Sequence, residues 1–268
     1  MVPNLSIIFM VLSLLVGVIF PLILSLYLII KKKFKLTCFL LGAACFFLFA
    51  SILEGLCHNY FLNLNKTTSD LLLNNTLYYV LYGSLMAGIF EEVGRFIMMS
   101  LFMKKNHEYK DGFIFGLGHG FMEALLILGI VFLNNIILTL SINSGSFDQI
   151  LSTIPDSSKN AYISAKDALI NTSSSIFLLG GVERIFAITI HVAFSLVVLY
   201  AIRNKKIQYL FIAILGHALV DVPSALYQKQ VIPLNLVYIL LVSTVIILIF
   251  VIIKLHRSYQ KSFVKNYS

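Results

Sequence analysis

The feature that most constrains this chain is the recurrence of apolar runs longer than about 18 residues, enough for a helix to cross about 30 Å of hydrocarbon. One such run can be a core helix or an anchor. Several in succession leave no aqueous interior for a soluble fold to form around. The composition agrees, with 59% hydrophobic and 12% charged residues, against roughly 25% charged in soluble domains. The runs are continuous rather than alternating, which excludes a transmembrane barrel. The expected fold class is all-α: a polytopic membrane protein forming a single integral-membrane domain over residues 1–268, with its core at about 77–226.

Seven spans are predicted, at roughly 5–30, 36–57, 77–102, 112–140, 174–202, 207–226 and 232–253. Their orientation follows from where the basic residues fall. Lys31, Lys32, Lys33 and Lys35 lie between the first two spans, and Lys104, Lys105 and Lys110 between the third and fourth. Arg203, Lys205 and Lys206 separate the fifth and sixth, and Lys254, Arg257, Lys261 and Lys265 form the tail. Fourteen of the 20 basic residues thus lie on one side. The expected arrangement has the N-terminus outside, the C-terminus cytoplasmic and the chain multi-pass in a cell membrane, a bacterial plasma membrane by its Lys, Asn and Ile usage. The formal charge of +8 is then a topological signal, and no nucleic-acid partner is expected.

The N-terminal run has no basic residue before it and no evident cleavage site, and reads as a retained first helix. Cys38, Cys45 and Cys57 share one apolar segment without metal or disulfide spacing, and read as packing residues. The outer segments Asn59–Thr76 and Ile142–Ser173 read as polar loops. Their matches to the glycosylation pattern, at Asn65, Asn74 and Asn171, carry little weight in stretches so rich in Asn, Ser and Thr.

Eleven ionisable residues lie inside the spans: Glu54, Glu91, Glu92, Arg95, His119, Glu123, Glu183, Arg184, His191, His217 and Asp221. A charge at mid-bilayer costs at least about 2.5–3.5 kcal/mol on insertion scales, so such groups must face inward and pair, or line a wet cavity. Counting about 1.5 Å per residue from the cytoplasmic boundary puts Glu91 and Glu92 about 18 Å deep. The same count puts His119 at about 12 Å, Glu123 and His191 at about 18 Å and His217 at about 16 Å. Four spans therefore deliver Glu and His to one layer. Glu54, with His58, lies near the outer surface and reads as an interfacial pair.

Spacing refines this layer. Glu91 and Arg95 are i,i+4 on one helix face, so an ion pair can hold Arg95 while Glu92 points elsewhere. His119 with Glu123, and His217 with Asp221, have the same spacing, which lets a carboxylate orient an imidazole and set its tautomer. Gly116, Gly118 and Gly120 around His119 permit close approach of a helix or a substrate backbone. Interhelical packing is the plain alternative, but packing contacts in membranes favour Ser, Thr, Asn and Gly over three histidines and several acids. Glu183 and Arg184 are adjacent, point apart and lie in the outer half, so for them a structural or gating role stands beside a catalytic one.

Glu91-Glu92-Val-Gly-Arg95, Phe115-Gly-Leu-Gly-His119 and His217-Ala-Leu-Val-Asp221 together resemble the signatures of the CPBP group of intramembrane proteases, which includes the type II CAAX prenyl endopeptidases. The closest likeness is to the YhfC family of bacterial membrane peptidases, related to CPBP and PrsW proteins, which would add Glu183-Arg184 and His191 as a fourth motif. The chain departs from the CAAX pattern in two ways: only Val93 and Gly94 separate Glu92 from Arg95, and Asp221 replaces an Asn.

The resemblance implies that Glu91, with His119, activates a water to attack a peptide carbonyl, with Glu92 beside it and Arg95 fixing the pair. His217 and Asp221 would stabilise the oxyanion or orient the substrate. No cofactor is favoured in this reading; a zinc ion on Glu91, His119 and His217 is the alternative. The substrate is a peptide or a segment of a membrane protein. Readings from other classes are a proton-coupled transporter or membrane sensor using the acids and histidines as a relay, and a catalytically silent relative. No internal repeat of the kind many transporters show is present.

Overall fold

The computed structural model describes residues 1–32 and 34–265. Lys33, and the side chains of Lys32, Lys261 and Lys265, all counted above for topology, lie outside what is described. All regular structure among the described residues is helical. Among the described residues, six helices are long and apolar enough to cross a membrane: α1 (Asn4–Lys31), α2 (Leu36–Leu64), α5 (Tyr109–Ser144), α8 (Ser174–Arg203), α9 (Gln208–Gln228) and the Leu234–Tyr259 part of α10 (Leu234–Lys265). The chain is a multi-pass membrane protein, with large apolar side chains exposed along these helices, as lipid contact requires. Helix α4 (Thr76–Phe102) has 27 residues and matches the remaining predicted span. Glu91, Glu92 and Arg95 dilute its apolar character.

The segments expected to be outer loops contain three short helices, α3 (Lys66–Asn74), α6 (Phe147–Thr153) and α7 (Asp156–Asn171). Their polar residues act as punctuation. Asn65 caps α3 by accepting from the Thr68 N–H (3.2 Å), and Asn75 caps α4 by accepting from the Tyr78 N–H (3.1 Å). Gly145 ends α5 in the left-handed conformation, φ +79°. Helix α7 is held by its one buried residue, Leu169, which joins Val2, Met10 and Phe177 in a small apolar cluster.

The chain divides into two compact units, Met1–Leu24 with Glu123–Ile185, and Ser25–Met122 with the residues from Phe186 onward. In the first unit Asn143 grips the N-terminus, accepting from the Val2 N–H (2.8 Å) and donating to its carbonyl (2.9 Å). Ser13 donates to the Phe177 carbonyl (2.6 Å), tying α1 to α8. π-Helical turns interrupt α1 at Leu15–Ile19 and α5 at Ala124–Gly129.

The second unit is built on backbone-to-backbone contact, which explains its glycines. A Cβ on Gly42 of α2 would come within 2.0 Å of the Phe115 carbonyl oxygen, and one on Gly118 of α5 within 2.0 Å of the Phe39 carbonyl oxygen. The two helices therefore cross at a reciprocal glycine contact. On another face of α5, Gly116 and Gly120 lie against the Cα atoms of Val192 and Ile188 in α8. The Gly face expected from the sequence is thus two faces with a helix on each, and His119 stands between them.

At its N-terminus α5 is pinned by buried Asp111, which accepts from the Glu108 N–H (3.0 Å) and pairs with Lys35 (3.5 Å). In the exposed turn before it, the Lys110 ammonium (2.9 Å) holds the Glu108 carboxyl below the usual carboxylate range. The far end of α10 is tied in by aromatic contacts. Tyr109 meets His256 (4.6 Å between ring centroids) and Tyr259 (5.9 Å), and the Arg203 guanidinium lies 4.6 Å over the Tyr259 ring.

Gly118→Ala is expected to destabilise the protein by about 1–3 kcal/mol or more, because backbone must move on both sides of the new methyl. Gly83→Ala, where no heavy atom lies within 4 Å, is expected to be neutral or to gain up to about 1 kcal/mol from helix propensity. Thermal unfolding of the two variants in detergent micelles compares them directly.

Candidate active site

The site is assembled in the second unit from four helices. Helix α4 supplies Glu91, Glu92 and Arg95; α5 supplies His119, α8 His191 and α9 His217. All six are buried, with Glu92, Arg95 and His119 fully so.

Arg95 is the hub. Its Nη2 donates to Glu91 Oε2 (2.9 Å) and to His191 Nδ1 (2.6 Å), while Nη1 pairs with Glu92 Oε1. Glu92 does not point elsewhere, as the i,i+4 reading had it: the guanidinium fork spans both carboxylates. Glu91 Oε2 also accepts from His119 Nε2 (2.9 Å) and lies 3.5 Å from His191 Nδ1. His119 is further held edge-on by the Phe46 ring, with centroids 5.3 Å apart.

His217 belongs to the other carboxylate. Its Nδ1 donates to Glu92 Oε1 (2.6 Å), and its ring stacks on Phe194, with centroids 5.2 Å apart and an interplanar angle of 5°. Its Nε2 then faces Glu91 Oε1 (3.9 Å) and Asp221 Oδ2 (3.6 Å). The expected i,i+4 partner, Asp221, is therefore the more distant one, and Glu92 orients the imidazole across 125 residues of sequence. Asp221 is also the most open carboxylate of the group, its side chain 37% exposed against 9% for Glu91.

The expected pairing of His119 with Glu123 is replaced by the bond to Glu91. Glu123 lies in the first unit, where it accepts from Arg184 Nη1 (2.8 Å). Arg184 also donates from Nε to Glu183 (2.6 Å). These three residues form an ion cluster of their own around the buried Arg184. A third polar group lies near one end of α2, where His58 bridges Glu54 (3.1 Å) and the Tyr82 hydroxyl (3.0 Å); the expected interfacial pair is in fact a trio. Cys38 and Cys45 are buried, Cys57 is half-buried, and all three are free thiols.

The donor chemistry of the main cluster suits a metal. Glu91, His119 and His191 offer ligand atoms all within 4.8 Å of one another, and all three residues are buried. A carboxylate oxygen with two imidazole nitrogens is a zinc-type donor set that leaves a coordination position open. Two carboxylates facing one guanidinium also leave a formal negative charge for a cation to balance. The set differs in one member from the zinc alternative drawn from sequence, with His191 standing where His217 was expected.

A family profile described as "YhfC intramembrane metalloprotease" matches residues 12–242. A Bacillus subtilis (strain 168) protein described as "Uncharacterized membrane protein YhfC" is 41% identical over 232 residues, which cover 87% of this chain and 89% of the relative. No solved structure matches.

Removing Arg184 takes the shared cation from Glu123 and Glu183, whose side chains are 13% and 30% exposed, so the cost is expected below the about 3–5 kcal/mol of breaking a fully buried pair. Arg184→Gln is expected to lower the unfolding temperature while leaving metal content per folded molecule unchanged. Calorimetry together with elemental analysis of the purified variant measures both.

Proposed function

Because the chain belongs to the YhfC intramembrane metalloprotease family, we propose that it hydrolyses peptide bonds within the bilayer, at the layer containing Glu91, His119, His191 and His217. The observation that carries this reading is the closing of Glu91, His119 and His191, from three helices, into one buried donor group. The family's description runs contrary to the metal-independent glutamate chemistry expected from the sequence. The donor set supports the zinc reading, with Glu91, His119 and His191 as the ligands. When bound there, such an ion supplies Lewis acidity and an activated water.

The surrounding side chains orient that chemistry. Glu92 takes the Nδ1–H of His217 (2.6 Å), which turns the Nε2 lone pair towards Glu91 and Asp221. At that position Nε2 can accept a proton from a water lodged beside Glu91 Oε1 and return it to the leaving amine. Arg95 keeps both carboxylates in place. Asp221, the open member, lies where a peptide segment would enter. The substrate class is a peptide or a stretch of a membrane protein. Kinship with the CPBP and PrsW groups rests on the three motifs.

The reading includes α4 as a seventh span, with the N-terminus outside and the C-terminus cytoplasmic. The 27-residue length of α4 and the clustering of basic residues support it.

Glu91→Gln and His119→Ala are each expected to reduce cleavage of a fluorogenic transmembrane peptide in micelles by about 100-fold or more, with the fold retained, and to release zinc measured by elemental analysis. Full cleavage by both variants would overturn the assignment of the site to Glu91 and His119, and absence of cleavage by the unmodified, zinc-loaded protein would overturn the peptidase reading. Loss of cleavage in protein that never contained metal would restore the glutamate mechanism.

A further inference from the structure

The atoms best placed to ligate a cation are already engaged by one that the chain supplies itself. Arg95 Nη2 is a donor only, so at 2.6 Å it meets His191 Nδ1 through that nitrogen's lone pair, the same lone pair a metal would use. The same Nη2 lies 2.9 Å from Glu91 Oε2, the oxygen shared with His119. The opposite arm of the fork, Nη1, is held by Glu92, which also takes His217. Charge points the same way. A divalent ion beside Arg95 sets three positive charges against the two of Glu91 and Glu92, in a site where all three residues are buried and charges are weakly screened.

We infer that Arg95 is a built-in competitor for the metal: its Nη2 arm and the ion exchange on Glu91 and His191, while Nη1 stays anchored on Glu92. Resting on the zinc reading proposed above, this gives Arg95 a function beyond fixing the carboxylates. It balances the buried acids when no metal is bound, and it weakens metal affinity so that the site fills only above a threshold of free ion. Glu92 is the pivot, because its pairing with Nη1 gives the guanidinium a place to remain after Nη2 has withdrawn.

The sign of the effect separates this role from a structural one. A residue that merely braces the ligands weakens metal binding when it is removed; a competitor strengthens it. The test is a zinc titration of the full chain in detergent micelles against a chromogenic chelator, with monodispersity and thermal unfolding recorded for each variant. Arg95→Gln is expected to bind zinc at least about tenfold more tightly than the unmodified protein, a modest share of the Coulombic effect expected of a neighbouring buried charge. Glu92→Gln, which frees the guanidinium to bear on Glu91 and His191 alone, is expected to bind zinc about tenfold more weakly. If Arg95→Gln does not fold, Arg95→Lys carries the test. Its single ammonium cannot hold Glu92 and reach His191 Nδ1 together, so tighter binding than the unmodified protein is expected again. Equal or weaker zinc binding by the folded Arg95 variant overturns the inference while leaving the metal reading intact. Absence of zinc binding in the unmodified protein removes the metal reading and this inference with it.

Discussion

Within the second unit the structure depends on one guanidinium in a place where charge is expensive. Glu91 and Glu92 are adjacent in sequence, point about 100° apart on α4 by helical geometry, and are both buried. Without Arg95 one turn on, neither could remain ionised at modest cost. With it, the two carboxylates become fixed acceptors, and each collects imidazoles from other helices: His119 and His191 at Glu91, His217 at Glu92. The glycines serve the same end. Only bare backbone lets α5 approach α2 and α8 closely enough for His119 to reach a carboxylate on α4, as Gly118 against the Phe39 carbonyl and Gly116 against the Val192 Cα show. Removal of side chains at the crossings and concentration of charge at the centre are two parts of one construction.

The two buried arginines show how similar chemistry serves different ends. Arg184 is held by two carboxylates, Glu123 and Glu183. Arg95 meets two carboxylates and a histidine lone pair, with two further imidazoles on the same carboxylates. The first arrangement is a guanidinium shared between two carboxylates. The second leaves basic nitrogens and carboxylate oxygens converging, and convergent lone pairs are what chemistry on a water or a carbonyl requires.

Much of this was legible in the sequence, for identifiable reasons. Helices announce themselves through apolar runs, and depth along a helix is arithmetic, so the gathering of Glu and His from four spans in one layer could be read directly. The choice of partners could not. Local spacing proposes i,i+4 pairs, because those are the only neighbours a sequence displays. His119 with Glu123 and His217 with Asp221 therefore looked like units. Tertiary contact chose otherwise: His119 turned to Glu91, His217 to Glu92, and Glu123 to Arg184. His191 in particular has no carboxylate at helical spacing, and its place beside Glu91 follows from the glycine notches that draw α8 onto α5. The short helices α3, α6 and α7 were missed because polar, Asn-rich stretches read as loop, although those same asparagines are good caps and one buried leucine is enough to hold α7.

The π-helical turns have a consequence for how the chain tolerates change in length. A π turn accommodates one residue more than an α-helical turn would. The turn at Ala124–Gly129 begins directly after Glu123, and the one at Phe46–Glu54 begins with the phenylalanine that holds His119. Deleting one residue in either stretch can restore ordinary α geometry while leaving the helix on both sides in register, whereas the same deletion in a plain α-helical stretch rotates everything beyond it by about 100° about the helix axis. In α5 a one-residue deletion within Ala124–Gly129 would leave the Gly face and His119, and the helix beyond the turn, each with its present neighbours. The π turns are thus the places where these helices can lose a residue without turning His119 away from Glu91.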